Sequence, residues 1–193
     1  MADESAPLIL PDVAAWRGWL DANEDVSDGV WLVLAKKGVT DPTSLSYAEA
    51  LDEALCSGWI DGQRKSRDDT TFLQRYTPRR GASLWSKRNI GIVTALIDAG
   101  RMRERGHAEI ERAKTDGRWE RAYSGAATIE LPDDLAAALA ASPAAAELFG
   151  RLNGANRYSV LHRVTTAPSA TSRANRIAKL VGMLERGETP HPQ

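Results

Sequence analysis

Between Val13 and Leu20 the apolar residues Val13, Trp16, Trp19 and Leu20 recur at helical spacing, which predicts a short amphipathic helix reaching about Asn23, with Pro11 in its first turn. The pattern then becomes continuous: Val30 to Lys36, VWLVLAK, is an apolar, β-branched run bounded by Asp28-Gly29 and Gly38, as a buried strand is. Ser46 to Glu49 reads as a capping box that launches a helix through Leu51, Ala54 and Leu55 and ends it at Gly58 in a left-handed conformation. Alternation returns at Trp59-Ile60 and from Thr70 to Thr77, where Thr71, Leu73 and Arg75 interleave with Phe72, Gln74 and Tyr76. Two further strands are predicted there, with Asp61-Gly62 as a turn signal and Arg64 to Asp69 as the polar loop between strands.

From Ser86 the helical period dominates. Ser86 is a candidate N-cap for a helix carrying Ile90, Val93, Leu96 and Ile97 and ending at Gly100; Arg103 to Asp116 is a second helix, closed by Gly117. Ser124 to Thr128 has linker composition, after which Pro132 and Pro143 each open an Ala-rich helix. Asn156 to Thr165 carries Val160, Leu161 and Val164, and the last helix presents Ala174, Ile177, Val181 and Leu184 on one face and Arg173, Arg176, Lys179 and Arg186 elsewhere. The expected fold is α+β, a small antiparallel three-stranded sheet covered by helices and followed by a C-terminal all-helical lobe. The expected boundaries are an α+β domain over 1–123, a linker at 124–130, a helical region over 131–187 and a disordered tail at 188–193.

Length and composition permit one good core: 193 residues, 42% hydrophobic, with a net charge of -1. The single Cys56 excludes an internal disulfide, and no Cys/His cluster has zinc spacing, so neither metal nor cofactor is expected. The acidic start MADESAPLIL is unlike a secretory signal, and no apolar run approaches the roughly 20 residues that span a bilayer, so a cytoplasmic protein is expected.

The near-zero net charge conceals segregation. Residues 1–57 carry 3 basic and 11 acidic side chains, residues 58–92 carry 8 and 3, residues 93–150 carry 7 and 10, and residues 151–193 carry 7 and 2. Two basic zones thus alternate with two acidic ones. Either they neutralise one another, in the fold or across an oligomer interface, or a basic zone forms an anion site.

The first basic zone is the denser in chemistry, because Cys56 to Asn89 interleaves its cations with Trp59, Phe72, Tyr76 and Trp85. Arg75 falls on a strand, Arg79 and Arg80 follow Pro78, and Lys87 and Arg88 open a helix whose N-H groups and dipole favour an anion. Asp61, beside Arg64 and Lys65, is either a holder of those cations or a plain turn aspartate. Trp85 is the tryptophan expected to be partly exposed. The candidate ligand-binding residues are therefore Trp59, Asp61, Arg64, Arg75, Tyr76, Arg79, Arg80, Trp85, Lys87 and Arg88, with no catalytic set. Cys56 sits at a helix C-terminus, where the dipole opposes a thiolate, and reads as a buried thiol.

Ser46-Tyr47-Ala48-Glu49-Ala50, Gly58-Trp59-Ile60-Asp61-Gly62, Tyr76-Thr77-Pro78-Arg79 and Trp85-Ser86-Lys87-Arg88-Asn89, with Asp116 to Trp119 and Asn156-Arg157-Tyr158 downstream, resemble the YdeI/OmpD-associated, bacteriocin-protection (OmdA) family. The resemblance covers roughly Leu45 to Gly187 and makes 131–187 its OmdA-like region. It implies a link to protection against bacteriocins or cationic peptides and to a porin, and it implies no reaction. The reading it supports is a non-enzymatic binding or stress-protection protein whose cationic face engages an anionic ligand or an acidic protein partner. A nucleic-acid-binding module is the alternative, against which the near-neutral total charge argues. A small-molecule enzyme using Asp61, Arg79 and Tyr76 is the third reading.

Overall fold

A computed structural model of the chain describes residues 6–192; the acidic start at 1–5 and Gln193 of the expected tail lie outside the described residues. The fold is α+β, with one three-stranded antiparallel sheet and, among the described residues, eight helices. The chain divides into two compact units, Met1–Ser83 with Gly91–Asp116 and Leu84–Ile90 with Gly117–Gln193.

The first unit contains α1 (Val13–Asn23), β1 (Val30–Ala35), α2 (Tyr47–Cys56), β2 (Trp59–Ser66), β3 (Thr71–Pro78), most of α3 (Lys87–Asp98) and α4 (Glu104–Thr115). Asp12 caps α1, accepting from the Ala15 amide at 2.9 Å, and Pro11 stands just outside it. The capping box at Ser46 forms as predicted, with Glu49 accepting from the Ser46 amide and Ser46 from the Glu49 amide. Gly58 ends the segment after α2 at φ 70°. Strand order is β1-β3-β2, so β3 is central and β2 is an edge. The face carrying Leu32, Leu34, Phe72 and Tyr76 packs with Trp16 and Leu20 of α1 and Ala50 and Ala54 of α2.

The β2–β3 hairpin departs from expectation. Asp61-Gly62 is not a turn; β2 continues through it to Ser66, taking Arg64 and Lys65 out of the predicted loop and into a strand. The true turn is made by Asp68, whose carboxylate accepts from the amides of Thr70 (2.9 Å) and Thr71 (2.7 Å) and from both threonine hydroxyls (2.8 Å each). Those hydrogen bonds, from Thr71 first and Thr70 second, hold the Asp68 carboxyl well below its ordinary range. Gly62 instead marks a β-bulge: Asp61 faces Tyr76 and Arg64 faces Gln74, leaving Gly62 and Gln63 opposite Arg75. The Gln74 side chain donates to the carbonyls of Gly62 (2.9 Å) and Gln63 (3.3 Å).

A buried carboxylate joins three segments of this unit. Glu53 of α2, 1% exposed, accepts from Arg17 of α1 (2.9 and 2.6 Å), from Arg101 (2.7 Å) and from Arg103 (3.2 Å). Arg103 also donates to the Glu53 carbonyl and the Ser57 hydroxyl and pairs with Asp21 at 3.1 Å. Burial alone pushes the Glu53 carboxyl up, but the hydrogen bonds from Arg17 and Arg101 and the charges of Arg17 and Arg103 leave it below its ordinary value.

In the second unit α5 (Asp133–Ala140), α6 (Pro143–Arg151), α7 (Gly154–Thr165) and α8 (Ala170–Glu185) surround a core of Leu135, Phe149, Val160, Leu161, Ile177 and Leu184. Ser142, Asn153 and Ser169 cap α6, α7 and α8. Arg173 grips Asp134 with two hydrogen bonds of 2.5 and 2.8 Å, tying α8 to α5. After α8 the His191 amide donates to the Asn156 side chain at 2.8 Å, and that side chain donates back to the His191 carbonyl at 3.1 Å. Among the described residues no helix is long and apolar enough to cross a membrane.

Candidate functional site

Successive side chains of a strand alternate between faces, so the consecutive cations Arg64 and Lys65 of the edge strand β2 go to opposite faces of the sheet. Arg64 has its guanidinium carbon 3.9 Å from the centroid of Phe72, and Lys65 has its ammonium 4.3 Å from the centroid of Trp31. Gln63 to Arg67 are all exposed. Arg67 lies 3.7 Å from Asp68, and among the described residues neither Arg64 nor Lys65 has a carboxylate partner. Each charged group lies over the face of its ring, Arg64 above the central strand and Lys65 above β1, with its outward side open to solvent.

Arg75 stands opposite Trp31 on β3, half-buried, its stem 3.7 Å from where a Cβ on Gly62 would lie. A Cβ on Gly29, which sits at φ 130°, would meet the Thr77 methyl and the Tyr76 carbonyl at 2.7 Å, so glycine is required for the strand to pass there. Asp61 accepts from the Tyr47 hydroxyl at 2.8 Å and holds neither Arg64 nor Lys65.

The other candidates are differently placed. Trp59 and Tyr76 are fully buried, Tyr76 against Trp16 and Trp59 edge-on to Trp19. Burial first, then the neighbouring Asp61 and Tyr47, raises the Tyr76 phenol far above its ordinary value, so it is a core hydroxyl at neutral pH. Arg79 is 4% exposed, with its amide on the Gly58 carbonyl and its own carbonyl accepting from Arg112. Arg80 is exposed. Trp85 is 2% exposed, packed 5.0 Å from Trp119, and is not the partly exposed ring that its cationic neighbours led one to expect. Lys87 and Arg88 are exposed in the first turn of α3, which Ser86 caps by accepting from the Asn89 amide. They belong to the second unit, whereas Arg64, Arg75, Arg79 and Arg80 belong to the first.

Cys56 is buried, and its thiol is pushed up to about 11 by burial and by Glu53. Alkylation of the native protein by iodoacetamide at neutral pH is therefore expected to be slower than that of the denatured chain by a factor of at least about one hundred. Equal rates would place the thiol at the surface.

Sequence reading missed the ring partners. Trp31 lies in the run that reads as a buried strand, and its place opposite Arg75, on the face that Lys65 also takes across β3, follows only from the register.

Compared with known proteins, no curated protein and no solved structure matches the chain. Two families do. The Gly58–Gly62, Tyr76–Arg79 and Trp85–Asn89 motifs fall in the first match, and α5 to α8 fall in the second. Residues 128–187 match the model of the expected family, described as Bacteriocin-protection, YdeI or OmpD-Associated, and over residues 8–109 the chain belongs to the family described as Domain of unknown function (DUF8412).

Proposed function

We propose that this is a non-enzymatic binding protein whose β2 edge engages an acidic, extended segment of a partner protein. The observation that carries this reading is the exposed edge strand with Arg64 and Lys65 on its two faces, both exposed and without a carboxylate partner among the described residues, free to swing from their rings toward a paired strand. Edge strands are blunted against self-association by Lys and Arg, and the same charges select a strand of opposite sign. A partner strand paired to β2 would present alternate side chains to the two faces, so carboxylates on both sides meet Arg64 on one and Lys65 on the other. The family whose description names bacteriocin protection matches residues 128–187, outside β2, so this reading rests on the edge strand itself.

Nucleic acid is the weaker ligand for this surface, because base stacking needs open rings and Phe72 is 5% exposed beneath Arg64. Titration of a labelled peptide repeating Glu-Glu-Val-Val, which puts carboxylates on both faces of a strand, alongside a single-stranded oligonucleotide of similar charge, separates the two. The peptide is expected to bind saturably at low salt and to lose about tenfold in affinity in the double variant Arg64→Glu/Lys65→Glu, each exposed charge contributing somewhat under 1 kcal/mol. Preference for the oligonucleotide, or an unchanged affinity in the variant, would sink the acidic-strand reading.

A further inference from the structure

The second basic zone has a cavity of its own. In the second unit the end of α7 and the middle of α8 line a half-open cavity of about 420 Å³, within the range of small-molecule sites. Arg163, Arg176 and Lys179 line it, and no carboxylate does. Leu180 and Met183 form an apolar wall, and His162 and Thr166 complete the lining.

The cations are arranged, not merely adjacent. Arg176 donates to the Arg163 carbonyl at 2.7 Å, and Thr166 donates to the His162 carbonyl at 2.6 Å. These bonds satisfy carbonyls of the last turn of α7, and the Arg176 charge offsets part of the negative dipole end there. Stabilising that helix end accounts for Arg163, but Lys179 lies mid-way along α8 and makes no ion pair among the described residues. His162 is itself fixed: its ring lies 4.7 Å from Tyr123, edge to face, and 5.4 Å from Tyr158.

We infer that this cavity binds a small amphiphilic anion, a phosphate or carboxylate head joined to a short apolar or planar group, with the head on Arg163, Arg176 and Lys179 and the apolar part on Leu180 and Met183. Guanidinium groups give planar two-point contacts to such heads, and Lys179 adds a point charge. The site is separate from the β2 edge and takes a different class of ligand.

The imidazole reports on it. Burial, then the charges of Arg176 and Arg163, hold His162 below its ordinary 6.5. The groups facing it are Arg163, Arg176, Tyr123 and Tyr158, so an anion between the two arginines cancels part of their effect and raises the imidazole toward its ordinary value.

Calorimetric titration of the whole chain with hexyl phosphate, adenosine monophosphate and inorganic phosphate, with the His162 ring followed by NMR, tests the inference. One saturable site is expected for hexyl phosphate or the nucleotide, the first indicating a lipid-like source and the second a nucleotide. Affinity should be at least tenfold above that for inorganic phosphate, and the His162 titration should move upward on saturation. Lys179→Glu and Arg163→Glu, both at exposed positions, should each weaken binding about tenfold, and Arg64→Glu/Lys65→Glu should leave it unchanged. No saturable binding by either amphiphile, equal affinity for inorganic phosphate, or a loss seen only in the Arg64/Lys65 variant would overturn the inference. The last result would leave the β2 edge standing.

Discussion

Glu53→Gln is expected to destabilise the first unit by about 3 kcal/mol, since breaking a buried ion pair leaves its partner's charge without compensation. Three guanidinium groups converge on this carboxylate, but they do not lose equally. Arg17 and Arg101 have side chains 53% and 38% exposed and can turn to water, whereas Arg103, at 19%, stays committed to the Glu53 carbonyl and Ser57. The loss therefore falls at the low end of the range for buried pairs. Acid titration gives the matching sign. The native carboxyl lies below its ordinary 4.5, so its contribution is fully present above about that pH and is lost as pH falls through the native value. In urea unfolding followed from pH 7 to 3, the wild-type chain should lose stability below about pH 4.5 more steeply than the glutamine variant. A change under about 1 kcal/mol at pH 7, or parallel acid profiles, would show that the arginines find equal partners in water.

The second large effect concerns a glycine whose helical context misleads. Replacing a helix-interior glycine by alanine ordinarily stabilises by about 0.5–1 kcal/mol. Gly91 of α3 has open space around it and should follow that rule. Gly106 of α4 should reverse it: a Cβ there would lie 2.3 Å from the Cys56 carbonyl oxygen and 2.6 Å from the end of Met102. The methionine can swing away, but the carbonyl closes α2 and accepts from the Arg103 amide at 3.1 Å, so α4 must retreat from α2. Gly106→Ala is expected to cost about 2 kcal/mol, the usual size of overpacking, while Gly91→Ala gains up to about 1. Thermal unfolding of the pair checks it, and a stabilised Gly106→Ala would mean that the helices separate freely.

Much of the architecture was legible in the chain because local chemistry and tertiary structure agree there. Ser46 and Glu49 cap α2 from their own side chains, and Gly58, Gly100, Gly117 and Gly187 all adopt the positive φ that ends a helical segment. The hairpin was misread because Asp61-Gly62 is a stronger local turn signal than Asp68 to Thr71. What overrides it is long-range: Gln74 on the central strand bonds the bulged carbonyls, and Asp61 is drawn to Tyr47.

The candidate residues divided along a line that charge counting does not see. Arg64 and Lys65 stay at the surface, while Arg79 is buried at the end of β3, and composition treats them alike. Glu53 was invisible for the complementary reason. Its partners stand 36, 48 and 50 positions away in sequence, beyond any helical or strand period. The basic last helix was noticed as a charge excess, yet only the packing of α7 against α8 shows that three of the cations share one cavity.

The central claim is that a partner strand pairs with β2, and amide hydrogen exchange with and without the Glu-Glu-Val-Val repeat peptide tests it most directly. The account predicts that saturating peptide slows exchange at amides between Gln63 and Arg67 and leaves those of α5 to α8 unchanged. Binding that leaves the β2 amides exchanging at their free rates, or that protects only α7 and α8, would contradict it.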